Sequence, residues 1–213
     1  MKAVYVEETE KTLKHFVCGL KKDEDSCEEY EFKEITTIAG KAFYAPWNVK
    51  KVFFDENLTT IKKEAFKDCR ELEVFCCGNK KIIKPEENIK LNELFATANS
   101  ADEKKSANGS TLQNPVSEDN QKSEFIIETS AFVNCENLHT VVFPKCKTLR
   151  IEKNAFSGCD SLRTVVAVTD ENGTIDFTEN PFKDCPKELV FVCSKNSAVE
   201  RFARENGYRS INV

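Results

Sequence analysis

Five stretches of the chain align on a small residue followed by phenylalanine: Ala42-Phe43, Ala65-Phe66, Ala131-Phe132, Ala155-Phe156 and Pro181-Phe182. Counted from each Phe, an apolar residue recurs five positions earlier (Ile38, Ile61, Ile127, Ile151, Phe177) and again nine and eleven positions later. Four copies carry Cys three positions after the Phe, at Cys69, Cys135, Cys159 and Cys185. Consecutive copies lie 23 residues apart at Phe43 and Phe66, 24 at Phe132 and Phe156, and 26 at Phe156 and Phe182. A unit this short cannot bury its own apolar face and must stack on its neighbours as a quasi-one-dimensional solenoid. The two positions nine and eleven after the Phe alternate with the period of a strand. The Ala-Phe-x-x-Cys-x-x-Leu stretch has the i, i+3, i+6 spacing of a helical or 3-10 turn. The expected fold is therefore an α/β solenoid, with a parallel sheet on one side and short helical or 3-10 turns on the other.

Residues 35–196 carry the repeats. Between Phe66 and Phe132 the pattern weakens to Leu91, Leu94-Phe95 and Ala98, read as a degenerate further unit. The stretch 99–124 is rich in Ser, Asn, Asp, Glu and Lys and nearly lacks large apolar residues, so it is expected as a disordered insert extruded from one coil. Residues 1–34 are expected to cap one end, with Phe16, Val17 and Leu20 among many charges. Residues 197–213 are expected to close the other with a capping helix and tail. Ser197 is its N-cap, Glu200 stands three residues on, and Gly207 ends it.

Charge narrows the partners. The net charge of −5 over 213 residues argues against nucleic acid, whose binders cluster basic residues. No window approaches the roughly 20 apolar residues of a membrane span. Acidic residues appear at Glu7-Glu8, before an export signal's apolar stretch could form, which favours the cytoplasm. The four cysteines at one repeat position should form a buried row of small hydrophobes. They lie a full repeat apart, not at the close spacing of zinc ligands, and Cys76-Cys77 must point to opposite faces of a strand. Disulfides between stacked coils remain open, with reduced thiols favoured. His15 and Cys18 are three apart in a charged segment but lack an orienting third group, and His139 sits at a variable, solvent-facing position. No phosphate-binding glycine loop, serine-nucleophile or zinc-protease motif occurs, so no catalytic residue, metal or cofactor is expected. The sequons at Asn57, Asn108 and Asn172 are no more than chance supplies.

If positions nine and eleven face the core, positions eight and ten face outward. Position eight holds Lys51, Val74, Thr140, Thr164 and Val190, and position ten holds Phe53, Cys76, Val142, Val166 and Val192. Strand propensity explains the valines. It does not explain Phe53 or Cys76, so this strip is expected to be an apolar contact surface.

The string Ile-x-x-x-Ala-Phe-x-x-Cys-x-x-Leu-x-x-Val-x-Phe-Pro resembles the repeat of the BspA-like leucine-rich-repeat family, most closely at Asn134 to Pro144. The resemblance covers residues 35–77 and 125–213, and the Ser197 to Gly207 segment is similar to the family's terminal helix. It implies a right-handed superhelix and a non-catalytic recognition role, since family members are often surface or secreted proteins used in adhesion and protein binding. The expected partner is a protein or a glycan at the outward strip. The alternative is a structural protein, with copies of this chain assembling through the same strip.

Overall fold

The computed structural model describes residues 5–9, 11–17, 28–43, 49–78 and 124–213. The weakened unit at Leu91 to Ala98 and the insert at 99–123 lie outside the described residues; Glu124 begins a strand. Two seven-stranded sheets run the length of the molecule. The first takes β1 (Tyr5–Thr9), β2 (Thr12–Val17), β4 (Thr37–Ile38), β6 (Thr60–Ile61), β8 (Glu124–Ile127), β10 (Cys146–Ile151) and β12 (Thr169–Phe177). The second takes β3 (Glu29–Phe32), β5 (Lys51–Phe54), β7 (Val74–Cys77), β9 (Thr140–Val142), β11 (Thr164–Val166), β13 (Val190–Cys193) and β14 (Arg209–Asn212). All pairings in both sheets are parallel except β1 with β2. Each coil thus contributes one strand to each sheet.

This corrects the expected helical wall. The side opposite the second sheet is another parallel sheet, and the Ala-Phe-x-x-Cys-x-x-Leu stretch is a run of tight turns at the corner between the two. In one coil the N–H groups of Ala65, Lys67, Cys69 and Leu72 each bond the carbonyl three residues back, at 3.1, 3.1, 3.2 and 3.1 Å. Between them, Phe66 N–H reaches across to Ala131 in the next coil at 2.8 Å. Left-handed residues interrupt any helix on both sides of the Phe: Lys41, Glu64, Ser130 and Asn154 two positions before it, and Asp68, Asn134 and Gly158 two positions after it. Successive three-residue turns repeat the spacing of a 3-10 helix without its continuity. Helix is confined, among the described residues, to α1 (Ala198–Glu205), where the Ser197 hydroxyl accepts the Glu200 N–H at 3.2 Å.

A side chain at φ near 60° is strained unless it is Gly, Asn or Asp. Ser130 has φ 56°. Ser130→Gly is therefore expected to stabilise the chain by roughly 0.5–1 kcal/mol in urea unfolding, against a smaller gain for Asn154→Gly. A loss of stability in Ser130→Gly would contradict this account of the turn.

The core lies between the sheets. Phe43, Phe66, Phe132, Phe156 and Phe182 are all fully buried. Their rings stack at 4.4, 4.9, 5.1 and 4.9 Å, with interplanar angles of 15°, 2°, 6° and 14°. Phe16 extends the column, stacked 4.9 Å from Phe43, because β2 and β3 form a further coil in register with β4 and β5. The Phe66 and Phe132 coils stack directly, through β6 on β8 and β7 on β9. No described coil intervenes between them. Positions nine and eleven (Phe75, Cys77, Val141, Phe143, Val165, Ala167, Phe191, Cys193) all belong to this core. Val199 and Ala203 of α1 close its end.

Candidate functional site

The outward rows of the second sheet are set by its register. Phe53, Cys76, Val142, Val166 and Val192 lie side by side across five parallel strands, with Glu31 and Ile211 continuing the row at its ends. Lys51, Val74, Thr140, Thr164 and Val190 form the neighbouring row, continued by Glu29 and Arg209. Because strand side chains alternate, these rows point away from the core that positions nine and eleven fill. Phe53, Val74, Cys76, Val142, Val166 and Val192 form a second apolar cluster, separate from the core, with Val168 packed at its edge.

Their exposure departs from the expected open strip. Phe53, Val142 and Val166 are 3% exposed, Val74 and Val192 1%, and Cys76 none. The helix α1 packs on the core side. Alternation along a strand tells which way a side chain points, and says nothing of what covers it. Thr140 is almost buried, and its hydroxyl pairs with His139 Nδ1 at 2.9 Å. Lys51, Thr164 and Val190 are half-buried. Lys51 Nζ donates to Glu29 Oε1 at 2.7 Å, so its head sits at the edge of the strip while its stem covers apolar surface. Sequence reasoning missed Val168, Glu31 and Ile211; the alternation Tyr30-x-Phe32 was the available signal for Glu31.

A band of charge borders the apolar rows. Lys50 Nζ lies 3.0 Å from Glu28 and 4.0 Å from Glu73, so acids and base alternate from coil to coil. Contact with Glu28 holds the Lys50 ammonium above its usual pKa. Burial lowers the pKa of His139 next to this band.

The chemistry available elsewhere is limited. The Cys76 thiol is pushed up to about 12 by burial, which makes it a packing group and not a nucleophile. Cys69, Cys135, Cys159 and Cys185 donate to the carbonyls of Phe43, Phe66, Phe132 and Phe156 respectively, each in the preceding coil, at 2.8, 3.1, 3.2 and 3.5 Å. Cys thus repeats at this position because its thiol satisfies a buried carbonyl while filling the volume of a small hydrophobe. None of the eight described cysteines is in a disulfide. Among the described residues no group of three or more His, Cys, Asp or Glu converges to hold a metal. His15 is an exposed residue of β2, in the sheet opposite His139, and Cys18 lies outside the described residues. A groove of about 310 Å³ between β12 and α1, lined by Thr174, Ile175, Arg201, Phe202 and Glu205 among others, contains no histidine or cysteine. No helix among the described residues is long and apolar enough to cross a membrane.

Compared with known families, the chain matches the BspA type leucine rich repeat region, in six copies over residues 23–94 and 116–205. No curated protein and no solved structure matches it.

Proposed function

Because the chain belongs to the BspA-type leucine-rich-repeat family, we propose that it is a non-catalytic recognition module whose second sheet engages a protein or glycan through the strip from Phe53 to Val192. The observation that carries the reading is the second apolar cluster itself. Five coils place an apolar residue at one outward position, in register, on the face of the sheet turned away from the core. A wall that served only to close the solenoid could carry polar residues there, as the first sheet does at four of five places, with Thr37, Thr60, Arg150 and Asp176 around Ile126. The half-buried Lys51, Thr164 and Val190 are the part of the strip a partner meets first. The buried row behind them supplies apolar area once it is uncovered.

Thr164→Arg and Val190→Arg alter that rim without entering the core. The test compares what wild type and the double variant retain from an extract of the native source. A partner held by wild type and lost at least tenfold by the variant, with unchanged melting, supports the reading. Equal capture by both proteins removes the strip as the contact surface.

A further inference from the structure

The tripeptide Glu-Asn-Gly occurs twice among the described residues, at Glu171-Asn172-Gly173 and at Glu205-Asn206-Gly207. An asparagine followed by glycine is prone to lose its side-chain amide, because glycine has no Cβ to keep its nitrogen from the Asn Cγ. The two copies share one local sequence, so a difference in reactivity between them comes from the fold.

Asn206 is held in place. Its Nδ2 donates to the Phe202 carbonyl at 2.9 Å and its Oδ1 accepts from Asn180 Nδ2 at 3.1 Å. The Gly207 N–H, whose nitrogen would have to attack, donates to the Arg204 carbonyl at 3.3 Å, and Asn206 is the C-cap of α1. Ring closure there breaks three hydrogen bonds and undoes the end of the helix. Asn172 is exposed, and its side chain makes no hydrogen bond among the described residues. It stands in β12, an edge strand of the first sheet, which among the described strands pairs only with β10. In that pairing Cys146 faces Thr169 and Thr148 faces Thr174, so residues 170–173 bulge opposite the single Lys147 and have no partner in the register. Gly173 lines the open groove between β12 and α1, where water reaches it.

We infer that Asn172 is a deamidation site, where the fold permits a conversion that it suppresses at Asn206. The Gly173 nitrogen attacks Asn172 Cγ and forms a C–N bond. The Cγ–Nδ2 bond breaks, and ammonia leaves with the proton that the Gly173 nitrogen gives up. Water then opens the cyclic succinimide. Cleavage of the new Cγ–N bond leaves aspartate, and cleavage of the original backbone bond leaves isoaspartate. Either product adds a negative charge to a chain of net charge −5. Isoaspartate also lengthens the main chain of β12, inside the bulge, where no ladder position is displaced.

The test holds the full chain at mildly alkaline pH, native and in urea, and follows both tripeptides by peptide mapping with mass detection. The peptide carrying Asn108-Gly109, outside the described residues, is mapped apart from them. In the native chain Asn172 is expected to convert about tenfold faster than Asn206 or more, a difference of at least about 1.4 kcal/mol in the barrier. In urea the two rates should converge. Gly173→Ala, at a position without positive φ, should slow Asn172 about tenfold and leave Asn206 unchanged. Matching native rates, faster conversion at Asn206, a lead of Asn172 that persists in urea, or a native Asn172 that stays intact while the unfolded chain converts would each overturn the inference. Because both sites are compared within one unaltered molecule, the result stands even if Gly173→Ala fails to fold.

Discussion

Phe132→Ala is expected to cost about 4 kcal/mol, the range for deleting a fully buried aromatic ring, and to lower the melting midpoint by about 12 °C. Phe132 is fully buried, with Phe66 stacked 4.9 Å away on one side, Phe156 5.1 Å away on the other and the edge of Phe75 at 5.1 Å. Its ring therefore belongs to two coil–coil contacts at once. The contact with the Phe66 coil joins parts of the chain separated by residues 79–123. It is reinforced by Lys62 Nζ to Glu128 at 2.7 Å, Asn134 to Asp68 at 2.8 Å and the Cys135 thiol to Phe66 at 3.1 Å. In a stack whose stability is a sum of coil and nearest-neighbour terms, weakening one internal contact separates the array into two cooperative units. Urea unfolding of Phe132→Ala, followed by circular dichroism and by amide exchange, should show residues 28–78 opening at lower denaturant than 124–213. A loss under about 1 kcal/mol, as for a surface change, would mean that the Phe column does not hold the coils together.

The parts of this architecture that the sequence displays are those repeated at fixed offsets. The Phe column, the inward positions nine and eleven and the row of cysteines follow from register alone, because parallel stacking turns equal offsets into straight rows. The first sheet was hidden for a local reason. Its strands β4 and β6 are two residues long, too short for a period of two to show, and the turns beside them have helical spacing. What distinguishes them is the Thr-Thr-Ile string at 36–38 and again at 59–61. The Thr59 hydroxyl bonds the Thr36 carbonyl at 3.0 Å, tying one copy to the next. The coil around Phe16 is obscured because its inward pair, Tyr30 and Phe32, stands fourteen and sixteen positions after the Phe, not nine and eleven. The direction of the outward strip was legible from alternation. Its burial was not, because the exposure of a side chain depends on the packing around it, which no offset encodes.

That burial makes Val142→Lys the sharper test of the strip. Val142 is 3% exposed, flanked in register by Cys76 and Val166, neither of which can pair with an ammonium. Taking an unpaired lysine into such a site costs about 3 kcal/mol after relaxation. The same charge at Thr164, half-buried on the adjacent row, should cost under about 1 kcal/mol, because its stem can lie along the sheet and leave the head in water as Lys51 does. The pair of variants therefore measures how far the position-ten row is shielded relative to position eight. Urea midpoints for both, with slopes compared to wild type, decide it. If Val142→Lys unfolds within about 0.5 kcal/mol of wild type, the row is open to water, and a partner can use its whole apolar width without displacing anything. If it unfolds as expected, the apolar area of the strip becomes available only after uncovering. Recognition through it must then be weaker than its area alone would give, by the free energy of exposing Phe53, Cys76, Val142, Val166 and Val192.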